Sequence, residues 1–253
     1  MSGHSKWATI KHDKGINDAK RGKIFSKLSK AISIAVREGG GDNPEFNPKL
    51  RLMIEKAKAS NMPKENVQRA IDKGAGRIEG MNYQEVTYEG FGPNKIAMMI
   101  NCVTDNTNRT NSEIKSLFDK NGGVLGSQGS TAYFFDKKGL IRIAKTSCDE
   151  DTAFSIATEA GADDFQVLKD AYEIVTTLDT FENVKNAFEK NNIPAEYASL
   201  TYIPKSTVHV EGKDAAHVLA LVEALEDLDD VQNVYANFDI SDEDIDKFSE
   251  QQQ

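Results

Sequence analysis

The residues with the clearest chemistry lie near the start of the chain. Between Ser2 and Phe25 stand Lys6, Lys11, Lys14, Lys20, Arg21 and Lys23, together with the single tryptophan, Trp7, and two of the four histidines, His4 and His12. Lysine and arginine neutralise phosphates and release their counterions whatever base sequence is bound. Trp7 and His12 offer flat rings on which unpaired bases stack. The chemistry on offer is that of holding a polyanion. Two plainer readings compete with it. Trp7 can serve as a packing anchor across a helical bundle, and the basic residues can form a solvated helix face or dock on the chain's own acidic part.

Catalytic and metal chemistry find no such support. His4 and His12, like His209 and His217, stand eight residues apart, more than two helical turns, and no cysteine cluster accompanies them. The run Asp105 to Thr110 opens like a calcium loop, but Thr110 occupies its sixth position instead of glycine and Ser116 its twelfth instead of glutamate. The stretch Gly122 to Ser130 has the glycines of a phosphate loop without its lysine, and it follows a helix where a strand is required. Cys102 lies in an apolar strand and Cys148 at a helix start, neither beside a paired base. The expectation is no catalytic residue, no metal and no cofactor.

The formal net charge of −9 conceals two electrostatic objects. Residues 1–79 hold 17 Lys and Arg against 9 Asp and Glu, leaving 14 of the chain's 31 basic residues and 31 of its 40 acidic ones to the remainder. A basic module on an acidic body is the layout of a protein whose body repels nucleic acid while one part engages it. Two cysteines without a CxxC pattern suit a reducing compartment. Apolar runs such as Ile96 to Ile100 fall far short of the roughly 20 residues a membrane helix needs. Asp13 and Asp18 argue against a mitochondrial presequence. The expected location is the cytosol, away from membranes.

The elements that must position these residues follow from periodicity. Ile24, Phe25, Leu28, Ile32, Ala35 and Val36 recur at helical spacing, and Gly39-Gly40-Gly41 stops the helix. Lys20, Lys23, Lys27, Lys30 and Arg37 fall three, four or seven apart, so they form a basic ridge on another face. A second helix opens at Asn47-Pro48 with Leu50, Met53, Ile54 and Ala57 inward. A third follows Asn61-Met62-Pro63, with Val67, Ala70 and Ile71 inward, Arg69 and Lys73 on another face and Gly74 as its stop. From Tyr83 the period drops to two. Strands are expected at Glu85 to Glu89 and Lys95 to Val103, around a turn at Gly90 to Asn94, then a helix over Ile114, Leu117 and Phe118 and a strand from Ser130 to Phe135.

Residues 137–204 read as strand, helix, strand, strand, helix, strand, the ferredoxin-like order. Their helices are assigned the openings Ser147 with Glu150 and Asp179 with Glu182. A strand over Thr207 to Glu211, a helix over Val218, Leu221, Val222 and Leu225, and a strand from Val231 to Ile240 complete the sheet begun near residue 83. The expected fold is α+β: a basic three-helix domain over residues 1–80, a middle α/β domain from 81–136 plus 205–240, and a ferredoxin-like domain, 137–204, inserted in it. Contiguous domains fit the sequence equally well. Ser241 to Gln253 reads as an acidic, frayed tail.

Several stretches resemble one family. Gly3-His-Ser-Lys-Trp-Ala-Thr-Ile-Lys-His, Asp18-Ala-Lys-Arg-Gly-Lys-Ile-Phe, Asn61-Met-Pro-Lys-Glu-Asn-Val-Gln-Arg-Ala-Ile, Tyr88-Glu-Gly-Phe-Gly-Pro, Thr104-Asp-Asn-Thr-Asn-Arg-Thr, Lys120-Asn-Gly-Gly and Asp230-Val-Gln-Asn-Val-Tyr-Ala-Asn-Phe are similar, in order, to the YebC/PmpR family of bacterial regulators, whose mitochondrial relatives act as translational activators. The resemblance implies an N-terminal helical domain, two α/β domains, no catalysis, a cytoplasmic location and control of gene expression through nucleic acid, as DNA-binding transcriptional regulators or as ribosome-associated translation factors. Asp13 stands where the family tends to have a basic residue, and Asn94-Lys95 replaces a Gly-Gly pair.

The candidate nucleic-acid contacts are Lys6, Trp7, Lys11, His12, Lys14, Lys20, Arg21, Lys23, Lys27, Lys30, Arg51, Arg69 and Lys73. The family resemblance favours DNA. The residues themselves lean toward structured RNA or the ribosome, because a basic segment with a tryptophan suits RNA crevices better than a major groove. The acidic α/β domains are left to present surfaces to protein partners. A small-molecule sensor is a further reading, since paired ferredoxin-like units often hold metabolites between them.

Overall fold

The computed structural model describes residues 18–79 and 82–250. Phe134–Lys205 forms one compact unit, and the described residues on either side of it form the other.

The larger unit begins with three helices, α1 (Asp18–Glu38), α2 (Pro48–Ala59) and α3 (Lys64–Gly74). Their apolar faces meet in one cluster built on Ile32, Val36, Leu50, Ala57, Ala70 and Ile71. Asn47 ties the α1–α2 junction together from a fully buried position. Its side-chain oxygen accepts the Leu50 N–H at 2.9 Å, capping α2, while its amide donates to the carbonyls of Ala35 and Gly41, both at 2.7 Å. The α1–α3 crossing is close enough to need glycine. A Cβ on Gly74 would fall 2.4 Å from the Ser33 carbonyl oxygen, and the Ser33 hydroxyl donates to the Ala70 carbonyl at 2.8 Å.

The chain then builds an antiparallel sheet in the order β3 (Val124–Leu125), β1 (Gln84–Phe91), β2 (Ala97–Thr104), β9 (Val231–Ala236). Helices α4 (Thr107–Lys120) and α7 (Gly212–Glu226) supply Ile114, Phe118, Val218, Leu221 and Leu225 to its core. A separate parallel pair joins β8 (Val208–His209) to β10 (Phe238–Asp239), so the expected strand Val231 to Ile240 is divided at Asn237. The division has a cause: the Asn237 side chain turns inward and accepts the Ala97 N–H at 2.8 Å.

The smaller unit has the order β4 (Phe135–Ala144), α5 (Glu150–Glu159), β5 (Asp164–Val167), β6 (Ala171–Thr176), α6 (Phe181–Lys190), β7 (Tyr197–Pro204). Its antiparallel sheet runs β5-β6-β4-β7, which is the ferredoxin-like arrangement. Ile141, Ile174, Val184 and Phe188 fill its core.

Four further details differ from the sequence expectation. Ser130 to Phe135 is not a strand: Ala132–Phe134 is a 3₁₀ turn, because the residues before it wrap around the carboxylate of Glu89. Asp149, not Ser147, caps α5, accepting the Thr152 N–H at 2.9 Å. Thr180 precedes α6 without a side-chain cap, so Asp179 does not open it. The acidic end is not a frayed tail over Asp242–Glu250, which forms α8 and buries Ile245 and Phe248 in the α4–α7 core.

Candidate nucleic-acid interface

The basic ridge of α1 exists, and its middle faces the protein. Helix α7 ends at Glu226 with no basic residue in its own last turn; the backbone caps the Glu223 and Leu225 carbonyls, while the negative end of the dipole and the Glu226 carbonyl meet donors from outside. Lysines of α1 supply them. Lys27 Nζ donates to the Glu226 carbonyl at 2.5 Å, Lys23 Nζ to the Asp227 carbonyl at 3.3 Å, and Lys30 Nζ to the Asp229 carbonyl at 3.1 Å. Lys23 also lies 3.8 Å from the Asp227 carboxylate, with both side chains largely in solvent.

Lys30 reaches further, to Asp230 Oδ1 at 2.7 Å. The second carboxylate oxygen of Asp230 accepts from Arg109 Nη2 at 2.6 Å and from the hydroxyls of Thr110 at 2.8 Å and Thr104 at 3.1 Å. One oxygen therefore serves the helical domain and the other the middle domain. Burial alone would push this carboxyl up, but the hydrogen bonds from Arg109, Lys30 and Thr110 outweigh it and bring it down to about 2. Arg109 is held in place by Asp105 at 2.8 Å, and Asn106 caps α4 by accepting the Arg109 N–H at 3.1 Å. The run Asp105 to Thr110, expected to cap a helix, thus also builds half of the Asp230 site.

The remaining candidates are placed differently. Lys20 lies in the first turn of α1, and Arg21 beside it is exposed. Arg51 is exposed on α2, and Arg69 and Lys73 are exposed one turn apart on α3. The side chains of these last three have no hydrogen bond or ion pair among the described residues. Lys6, Trp7, Lys11, His12 and Lys14 lie outside the described residues. Arg51, Arg69 and Lys73 are separated from Lys23, Lys27 and Lys30 in role, although the sequence groups all six together.

Three buried carboxylates were not singled out by the sequence, Asp230, Glu89 and Glu173, and the first two organise their surroundings. Glu89 accepts the N–H groups of Gly129 at 2.7 Å, Thr131 at 2.6 Å and Ala132 at 2.7 Å. Burial would raise this group, but those backbone donors hold it below the usual carboxylate range. It braces the Gly126 to Thr131 loop from within. The sequence signals for Asp230 were its place at the end of an acidic run directly before a strand and at the head of the family-like stretch Asp230 to Phe238.

Nothing in the geometry of the described residues assembles a nucleophile with a base. Burial, reinforced by Asp230, pushes the Cys102 thiol up to about 12, and burial with Asp149 raises Cys148. No group of three or more His, Cys, Asp or Glu among the described residues is arranged to hold a metal ion. No helix among them is long and apolar enough to cross a membrane.

Known proteins resemble this chain along its length. Residues 5–77 match the model of the TACO1/YebC protein N-terminal domain, and residues 83–238 that of the TACO1/YebC second and third domain. A protein of Natranaerobius thermophilus named "Probable transcriptional regulatory protein" is 53% identical over 96% of this chain and 98% of its own length. One of Dictyoglomus thermophilum with the same name is 54% identical, again over 96% and 98%. Among solved structures, the conserved hypothetical protein Aq1575 from Aquifex aeolicus superimposes with a TM-score of 0.80 at 46% identity, covering 89% of this chain and 93% of that one.

Proposed function

This chain belongs to the TACO1/YebC family, and we propose that it is a non-enzymatic regulator of gene expression that acts by binding nucleic acid in the cytoplasm. The observation that carries this reading is the exposed trio Arg51, Arg69 and Lys73 on the helical domain, whose side chains have no partner among the described residues. It sits in the same basic 79 residues as Lys6, Trp7, Lys11, His12, Lys14, Lys20 and Arg21. Point charges free of protein partners are those that gain most from a phosphate, because nothing must be broken first. The relatives' names favour transcription and hence DNA. A second reading, RNA on or near the ribosome, gains from the inward turn of Lys23, Lys27 and Lys30. Without them α1 offers no continuous basic face for a major groove, and separated charges with Trp7 suit irregular RNA. The acidic α/β surfaces are free to meet protein partners.

The test is binding of the full chain to duplex DNA and to a structured RNA between 50 and 200 mM salt. Contact with six or more phosphates weakens affinity about a thousandfold over that range. Replacing Arg51, Arg69 and Lys73 with alanine lowers the slope of log K against log salt by about one unit for each phosphate no longer neutralised. Affinity indifferent to salt, or a triple variant that binds like the parent, sinks the reading.

A further inference from the structure

The contacts that hold the helical domain to the middle domain are of the kind a polyanion competes for. The apolar cluster of α1–α3 and that of the sheet with α4 and α7 share no residue. Beside the buried Ile34, Met99, Val103 and Tyr235, which belong to neither cluster, lysines cross between them: Lys23 and Lys27 on the carbonyls at the end of α7, Lys30 on Asp230, and Lys49 on Glu85 at 2.7 Å. Polar contacts of this kind between domains open and close more readily than apolar ones. Charge-assisted contacts near the surface weaken with ionic strength, and phosphates offer lysines equivalent acceptors. α1 also touches β2 and β9, which favours the docked arrangement when no competitor is present.

We infer that the helical domain docks reversibly, and that α1 exchanges the carbonyls and carboxylates at the end of α7 for phosphates when nucleic acid binds. The ridge is then a shared surface: closed over α7 in the free protein, open to the polyanion in the complex. Lys23 exchanges first, because it is the most exposed of the three and its partner Asp227 is open to water. Lys30 exchanges last, because Asp230 holds it in a nearly buried pair. This rests on the nucleic-acid reading and adds a regulated access to the same site.

Hydrogen exchange of the full chain, read at Glu226 to Val231 with and without a single-stranded RNA oligonucleotide, reports the docking directly. Binding should speed exchange there while α2 and α3 stay protected. Asp227→Asn removes one docking carboxylate at an exposed position and should tighten binding about twofold, the order that losing one solvent-exposed ion pair releases. Glu243→Gln on α8 makes the same change of charge outside the lysine contacts and should leave affinity about unchanged, since an exposed charge at a distance is screened. Binding with unchanged exchange, and equal affinities for the two variants, overturns the inference while leaving the nucleic-acid reading intact. A parent protein that binds neither the RNA nor duplex DNA overturns both.

Discussion

Lys30 Nζ and Asp230 Oδ1 meet at 2.7 Å across 200 residues of chain, with side-chain exposures of only 12% and 4%. The pair joins the helical domain to the loop before β9, and its stability effect should be unequal between its neighbours. Removing Lys30 leaves a buried carboxylate short of a partner, so Lys30→Met should cost about 2 kcal/mol. Lys23→Met breaks contacts in solvent and should cost at most about 0.5 kcal/mol. Urea unfolding of the two variants compares them directly, and equal losses would refute the assignment of Lys30 as the anchoring member.

The same site has an acid signature. Asp230 titrates near 2 in the folded protein and at its ordinary value, 3.8, once unfolded. A depressed carboxyl contributes stability that is fully present above the unfolded value and is lost as pH falls through the folded one. The loss from this group should therefore fall between about pH 4 and pH 2. In Asp230→Asn the chain is less stable at pH 7, and its stability should fall less steeply across that window. Chemical denaturation at stepped pH measures both slopes.

Glu89 makes a sharper chemical prediction. Its Oε2 accepts two backbone N–H groups, from Thr131 and Ala132, and its Oε1 accepts a third, from Gly129. A glutamine keeps the shape but must aim an NH₂ group at one set of donors. Glu89→Gln should thus lose about 2 kcal/mol, nearly as much as Glu89→Ala, since buried donors left facing a donor forfeit their hydrogen bonds. Hydrogen exchange at residues 126–132 should rise in both. Normal protection in the glutamine variant would show that the loop holds itself.

Much of the framework was legible in the residues. The period of 3.6 over Ile24 to Val36, the change to two after Tyr83 and the βαββαβ order of residues 137–204 all rest on local patterns. The turned-in ridge was not legible. Spacings of three, four and seven show that Lys23, Lys27 and Lys30 share a face with one another, and they say nothing of what covers it. Here the cover is the end of α7, nearly 200 residues later. The absent strand at Ser130 to Phe135 has the same origin, because Glu89 draws three amides to itself from a distance of about 40 residues. The helix at Asp242–Glu250 was hidden by its charge, although Ile245 and Phe248 stand three apart on one face.

Gly74 separates packing from propensity. Alanine favours a helix over glycine by about 1 kcal/mol, so Gly74→Ala at the end of α3 should stabilise if the site were open. Its Cβ would instead sit 2.4 Å from the Ser33 carbonyl and 2.8 Å from Val36 Cβ. Backbone cannot move aside as a side chain tip does, so the crash should outweigh the gain and leave a net loss of about 1 to 2 kcal/mol. Thermal unfolding with a paired Gly22→Ala control, where nothing lies within 4 Å, distinguishes the two effects.

The turn between β1 and β2 carries strain that glycine would relieve. Asn94 and Lys95 both adopt left-handed backbone, with φ of 57° and 60°. Asparagine tolerates that region, and lysine does so at a cost of about 1 to 2 kcal/mol. Lys95→Gly removes the cost but gives the unfolded chain more freedom, which takes back about 0.5 to 1 kcal/mol. The balance should stabilise the protein by about 0.5 to 1 kcal/mol, whereas Asn94→Gly should change it less. Lys95 is exposed and outside the candidate interface, so binding to DNA or RNA should move only as far as the removal of one surface charge allows. A destabilised Lys95→Gly variant in urea unfolding would show that the lysine side chain contributes more there than its backbone costs.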